Sequence, residues 1–270
     1  MVTFLCTVHG CRRPLLGEER RVVCRRGHSF DLARSGYLNL LQPQDRKARR
    51  PGDSAEVLAA RRRFLGSATA TPLVGAIVDL LTVREGDAVL EVGCGEGHHL
   101  ARIAERFGCD GHGVDISVAA IDAAAKRHPR LRWVVANADR FLPYADASVR
   151  VVLSITSRMN APEFRRVLRG DGTLLVAVPA PDDLVELRRA ALGEGVLRDH
   201  VERTVAAFAP RFALDRHARV RHVARLDAAA VADVMTGAYR ALRARERTRL
   251  ASIGDVDVTL SRDVLLFRPA

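Results

Sequence analysis

The chain has 270 residues, 48% of them hydrophobic, enough for one main domain of about 150 to 200 residues with smaller modules attached. Its 43 Lys and Arg outnumber 32 Asp and Glu for a net charge of +11. No apolar run approaches the roughly 20 residues of a membrane span, and no leader pattern precedes Cys6, so the sequence reads as cytoplasmic, with no membrane partner.

The first feature in chain order is a cysteine ribbon. Cys6 and Cys11 form one short pair, and Cys24 and His28 another, separated by a hairpin-like stretch with Pro14 and Gly17. Zinc takes four nitrogen or sulfur ligands in a tetrahedron, and two such pairs on turns supply them with no position left open, so the site is structural. His9 lies inside the first pair as a rival ligand, and that pair is wider than the usual two-residue gap. A segment this small cannot bury a core of its own, which favours metal over free thiols. Cys94 and Cys109 read as ordinary buried thiols, and the odd total of five cysteines argues against a disulfide framework.

The positive charge is concentrated around this ribbon and the segment after it. Arg12, Arg13, Arg20, Arg21, Arg25 and Arg26 lie in the ribbon; Arg46, Lys47, Arg49, Arg50, Arg61, Arg62 and Arg63 follow. Such clustering predicts nucleic acid as the partner.

Residues 35–41 form a short apolar stretch and residues 42–53 a polar linker holding Pro43 and Pro51. Ser54 caps a predicted helix running through Phe64, and a second helix runs from Pro72 to Leu81. Strands predicted at 87–92, 110–115, 131–135, 149–155 and 173–178 are interleaved with helices at 98–107, 117–127 and 161–168. That order implies a mostly parallel sheet with helices on both faces. Val256, Val258, Leu260, Val264 and Leu266 predict antiparallel closing strands.

The first of these strands carries Glu91 into Gly93-Cys94-Gly95-Glu96-Gly97-His98. Glycines there let the main chain turn sharply and approach a ligand without Cβ interference. The second strand ends in Asp115, followed by Ile116, and such an acid holds ribose hydroxyls in dinucleotide-type sites. The spacing is E-x-G-x-G-x-G, unlike the G-x-G-x-x-G that sets a pyrophosphate on a helix N-terminus. Phosphate-free S-adenosylmethionine fits it. Glu91 and the backbone at Glu96, Gly97 and His98 fall near its amino acid end, Asp115 and Ile116 near the ribose, and Asp139, after a third apolar run, at the adenine edge.

Residues 28–41, 51–56 and 60–65 closely resemble the large-subunit (23S) ribosomal RNA guanine-N1 methyltransferases, and the likeness continues through 114–117, 123–129 and 184–187. The resemblance implies an α/β, Rossmann-like class I S-adenosylmethionine methyltransferase domain with a small N-terminal zinc-binding module. It places the boundaries at 1–41 for the zinc-binding RNA-recognition module, 42–81 for a basic linker with helices, and 82–270 for the catalytic domain. It also implies structural zinc on Cys6, Cys11, Cys24 and His28, and a cofactor loop at Glu96 and Gly97. The substrate it implies is guanine N1 in an RNA hairpin loop near the peptide exit tunnel, and some members confer macrolide resistance.

Three positions depart from the family pattern. Ala70 stands where an aromatic, commonly Tyr, is usual, and Thr156-Ser157-Arg158-Met159 replaces an aromatic-Ala-Pro motif. Asp183 replaces a His that contacts the cofactor, which makes it a further candidate cofactor contact. No catalytic base is assigned. A small-molecule methyltransferase and a non-catalytic RNA or ribosome binder are the alternative readings, and a homodimer is a further candidate assembly.

Overall fold

A computed structural model describes residues 2–45, 52–193, 199–238, 248–249 and 253–270. The ribbon forms a small antiparallel sheet of β1 (Leu15–Gly17), β2 (Arg21–Cys24) and β3 (Ser29–Asp31). The apolar stretch that follows supplies β4 (Leu38–Asn39). It does not stay with the ribbon. Leu38 and Asn39 pair in parallel with Val134 and Val135 of β7 (Arg132–Val135), on the edge of the main sheet.

That sheet has eight strands. Its parallel core is β5 (Ala88–Val92), β6 (Asp110–Asp115), β7, β8 (Val149–Ile155) and β9 (Leu168–Pro179). Two long strands, β10 (Phe212–Leu226) and β11 (Val256–Pro269), close it in antiparallel fashion, in the order β10-β11-β9-β8-β5-β6-β7-β4. Helices α3 (His98–Phe107), α4 (Val118–Arg127) and α5 (Ala161–Val167) connect the parallel strands, as the alternation predicts. Ahead of them lie α1 (Ala55–Leu65), a 3-10 turn (Ala68–Ala70) and α2 (Thr71–Leu80). Ser54 caps α1 by accepting from Val57 N–H, and Ser117 caps α4 by accepting from Ala120 N–H.

The elements outside the predicted set include α6 (Val185–Leu192), α7 (Val201–Phe208), β10 and α8 (Ala228–Ala238). In β10 the pattern is hidden because six of its fifteen residues are Arg or His, on an edge strand that is largely exposed. Its register is dictated by β11, whose Val258, Val264, Leu265 and Phe267 are buried.

The ribbon does not pack as a separate body. Cys6, Cys11, Leu15 and Cys24 belong to the same buried cluster as Leu90, Val114 and Val134 of the central strands. Phe4 meets Tyr144 edge-on at 5.3 Å between ring centres, and its backbone bridges the same residue. Arg12 of the ribbon and Arg166 of α5 both stack on the Phe141 ring, at 4.8 and 4.9 Å. Sharing a core in this way supplies the apolar burial that so short a ribbon lacks. Among the described residues, no helix is long and apolar enough to cross a membrane.

One buried side chain fixes how closely α3 approaches the sheet. The Trp133 indole is 3% exposed, donates its Nε1–H to the His128 carbonyl at 3.0 Å, and reaches Gly97 at the start of α3 with its six-membered ring. A Cβ at Gly97 would come within 2.1 Å of it, and Gly97 also has φ +77°, so only glycine fits. Trp133→Ala empties this layer. It should cost about 3 to 5 kcal/mol in chemical denaturation; a loss below about 1 kcal/mol would contradict the packing role.

Candidate functional site: a cofactor turn and a zinc cluster

The turn leaving β5 is held by acceptors from its neighbours. Gly93 and Cys94 both donate to the Val114 carbonyl, at 2.8 and 3.2 Å. Gly95 N–H then donates to Asp115 Oδ2 at 2.9 Å, while Ser117 N–H donates to Oδ1 at 2.8 Å. Helix α3 has no capping side chain at Gly97; its Leu100 N–H donates instead to Glu91 Oε2 at 3.0 Å. Glu91 is 2% exposed, with His99 Nδ1 at 3.4 Å from its other oxygen. Burial pushes the Asp115 carboxyl upward, opposed by the N–H groups of Ser117 and Gly95. Gly95 itself has φ +54° and no atom within 4 Å of where a Cβ would stand, so its edge is open to a ligand.

The turn forms one wall of a cleft of about 1490 Å³. Sites for one small molecule run to about 300–1,000 Å³. The cleft therefore has room for a cofactor and part of a second substrate. Its opposite walls come from α1, the 3-10 turn, α2, α8 and the paired strands β10 and β11.

Of the residues singled out from sequence, Glu91, Gly93, Gly95, Glu96 and His98 line this cleft. Gly97 does not, because it packs on Trp133, and Asp115 sits behind the turn it braces. Ile116 packs against the core beside it. Asp139 is 3.9 Å from Arg158, and its N–H donates to Asn137 Oδ1. Asp183 is 5% exposed; it accepts from Ser261 N–H at 2.9 Å and pairs with Arg262. Burial together with His99 and Arg102 pushes His98 down to about 4, so its imidazole is uncharged at neutral pH.

Two of the positions that depart from the family pattern reach the cleft. Ala70 and Thr156 both line the cleft, and Thr156 has φ +51°. Ser157 reaches over the turn, where a Cβ on Gly93 would meet its Oγ. Met159 lies 40% exposed.

Several cleft residues carry no local sequence pattern. Arg62 of α1 grips Glu96 at 2.5 and 2.9 Å, with Arg127 of α4 at 3.3 Å from the same carboxylate. Arg61 pairs with Asp53 and Arg63 with Asp233 of α8, so the three arginines of residues 61–63 each tie α1 to an acid outside it. His222 and Arg262 reach the cleft from β10 and β11, far along the chain from the turn. Arg46, Lys47, Arg49, Arg50 and Pro51 lie outside the described residues.

The ligand atoms of Cys6, Cys11, Cys24 and His28 all lie within 4.8 Å of one another. Cys11 Sγ is 3.8 Å from Cys24 Sγ, and His28 Nδ1 is 3.4 Å from both Cys6 and Cys24 sulfurs. A tetrahedron with Zn–S of about 2.3 Å and Zn–N of about 2.1 Å has edges near 3.8 and 3.6 Å. The cluster fits zinc with no open position. His9 is not part of it.

Two outcomes follow. Purified protein should carry one zinc per chain, and Cys24→Ser should reduce it to near zero; unchanged metal content would contradict the ligand set. Asp115→Ala should weaken S-adenosylmethionine binding in calorimetry by about 1.5 to 3 kcal/mol. Unchanged affinity there would place the cofactor elsewhere.

The comparisons agree with both halves of the site. A family model described as "RlmA, N-terminal", a zinc ribbon, matches residues 4–49, and one described as "Methyltransferase domain" matches 89–172. The structure of the YcgJ protein from Bacillus subtilis, 15% identical, covers 73% of this chain and 98% of its own with a TM-score of 0.52, which speaks for the fold alone. The "23S rRNA (guanine(748)-N(1))-methyltransferase" of Streptomyces fradiae is 38% identical over 84% of this chain and 81% of its own length. A Bacillus subtilis relative, whose name also contains "23S rRNA (guanine-N(1)-)-methyltransferase", is 34% identical over 92% of this chain and 90% of its own. At that identity and coverage, the chain belongs to the 23S rRNA guanine-N1 methyltransferase family.

Proposed function

We propose that the chain methylates N1 of a guanine in a hairpin loop of large-subunit ribosomal RNA, and so acts in the cytoplasm. The observation that carries this reading is the joining, through one shared core, of a cofactor turn and a cationic zinc ribbon. A methyltransferase for small molecules has no use for such a ribbon.

The ribbon's arginines are exposed, and Arg13, Arg20 and Arg25 have no ion-pair partner among the described residues. They are free to take phosphates. Guanidinium groups suit this because their rigid fork matches phosphate oxygens.

S-adenosylmethionine, when bound, supplies an already activated methyl group. The protein's work is therefore orientation and exclusion of water. Gly95 leaves its edge open for the cofactor, Glu91 and Asp115 hold that edge still, and neutral His98 adds no charge that would repel a sulfonium. Guanine N1 must be turned out of its stack to enter the cleft, and it loses its proton as it is methylated.

The test is a ribosomal hairpin incubated with protein and cofactor. N1-methylguanine blocks the Watson–Crick edge, so reverse transcriptase should stop at one loop position; read-through with cofactor-loaded protein would contradict the reading. Titration of the same hairpin gives the stoichiometry, one copy or two. Arg13→Ala, Arg20→Ala and Arg25→Ala together should flatten the salt dependence of binding by roughly 0.7 to 0.9 log units per lost contact. An unchanged slope would remove the ribbon from the RNA interface.

A further inference from the structure

Strand pairing brings together a second set of groups across the cleft from the cofactor turn. Val220 pairs with Arg262 and His222 with Leu260, so these four side chains share one face of the β10–β11 ribbon, and all four line the cleft. Arg262 is the charged member. Its guanidinium pairs with the buried Asp183 carboxylate, and its Nη1 also donates to the Ser261 carbonyl at 3.0 Å. Asp183 is fixed in turn by Ser261 N–H.

These contacts occupy the two hydrogens of Nη1 and leave the Nε–H and Nη2–H fork uncommitted among the described residues. The side chain is only 22% exposed, and its strand neighbours Val220 and Leu260 are apolar. On the other side, His222 Nε2 donates to the Thr69 carbonyl at 2.9 Å, which fixes the plane of its ring. The uncommitted donors of Arg262 thus stand on a stretch of the cleft wall that Val220 and Leu260 make apolar. An apolar surface beside a guanidinium suits a flat base better than a free phosphate.

We propose that Arg262, oriented by Asp183, is the residue that reads the acceptor guanine, its Nε–H and Nη2–H meeting O6 and N7. The inference rests on the functional reading above and adds the substrate-recognising residue to it. A guanidinium placed on the O6/N7 edge leaves the N1 edge free to face the cofactor side of the cleft. It also serves the chemistry. As the N1–C bond forms and the methyl–sulfur bond breaks, its electron pair stays on sulfur and the N1 proton passes to water; any negative charge that reaches O6 is met by a fixed cation. Asp183 is then a positioning residue: its carboxylate, fixed by Ser261 N–H, holds the arginine.

The experiment uses the full-length protein and a hairpin with 7-deazaguanosine at the methylated position, which removes N7 but keeps N1–H and O6. Wild-type kcat/KM should fall by about tenfold for the loss of one charge-assisted hydrogen bond. Arg262→Met should lower kcat/KM on the unmodified hairpin by about a hundredfold, show no further loss with the 7-deaza base, and bind S-adenosylhomocysteine as wild type does. Because Arg262→Met strands a buried carboxylate, the Asp183→Asn/Arg262→Met double variant is measured beside it, with the same outcome expected. Asp183→Asn alone should shrink the 7-deaza effect while leaving cofactor affinity unchanged. Full wild-type turnover of the 7-deaza hairpin, an equal 7-deaza loss in all variants, or weakened S-adenosylhomocysteine binding would each overturn the assignment. Failure of wild type to methylate the unmodified hairpin would overturn the functional reading and this inference together.

Discussion

Everything functional in this chain depends on finding acceptors for the backbone N–H groups of the β5–α3 turn. A chain that leaves a buried strand and immediately starts a helix presents successive donors with no partners of their own. Left buried and unpaired, each costs about 1 to 3 kcal/mol. Two carboxylates meet that need: Glu91 reaches forward to Leu100, and Asp115 reaches across from β6 to Gly95. Negative charge at a helix N-terminus is favourable in its own right, which accounts for the burial of Glu91 where no cationic partner is required. With the donors satisfied from behind, the outer edge of Gly95 is left open to the cleft.

The same logic of borrowed support joins the two modules. The ribbon is too small to bury a core, and zinc alone fixes only its tip. Its remaining apolar surface is placed on the sheet through Phe4, Leu15 and β4, and Arg12 is laid over Phe141. One consequence is electrostatic. The ribbon is seated on the methyltransferase domain, so on the proposed reading its arginines are held at a fixed place relative to the cleft.

Much of this was legible in the chain because it is local. The strand and helix alternation from residue 87 to 178 follows apolar periodicity, Ser54 announces its helix, and the ligand spacing announces zinc. What was not legible comes from pairings between distant segments. Nothing near Arg62 says that it grips Glu96, so residues 61–63 read as a cationic patch until their acid partners are seen. Likewise Arg262 and His222 gain meaning only from the register of β10 against β11, and β10 itself, an exposed edge rich in Arg, has no apolar signature. Leu38 and Asn39, read as part of the segment next to the ribbon, likewise pair with β7 of the large sheet, a contact between distant segments that the local sequence does not announce.

The central claim is that the carboxylates, and not the cofactor, shape the binding turn. Amide hydrogen exchange at Gly95 and Leu100 measures this most directly, in protein free of cofactor and again with S-adenosylhomocysteine. If Glu91 and Asp115 hold the turn, both amides are already protected without ligand, and adding it changes their exchange little. Rapid exchange in the free protein, slowed only by S-adenosylhomocysteine, would show that the ligand orders the turn and would contradict the account.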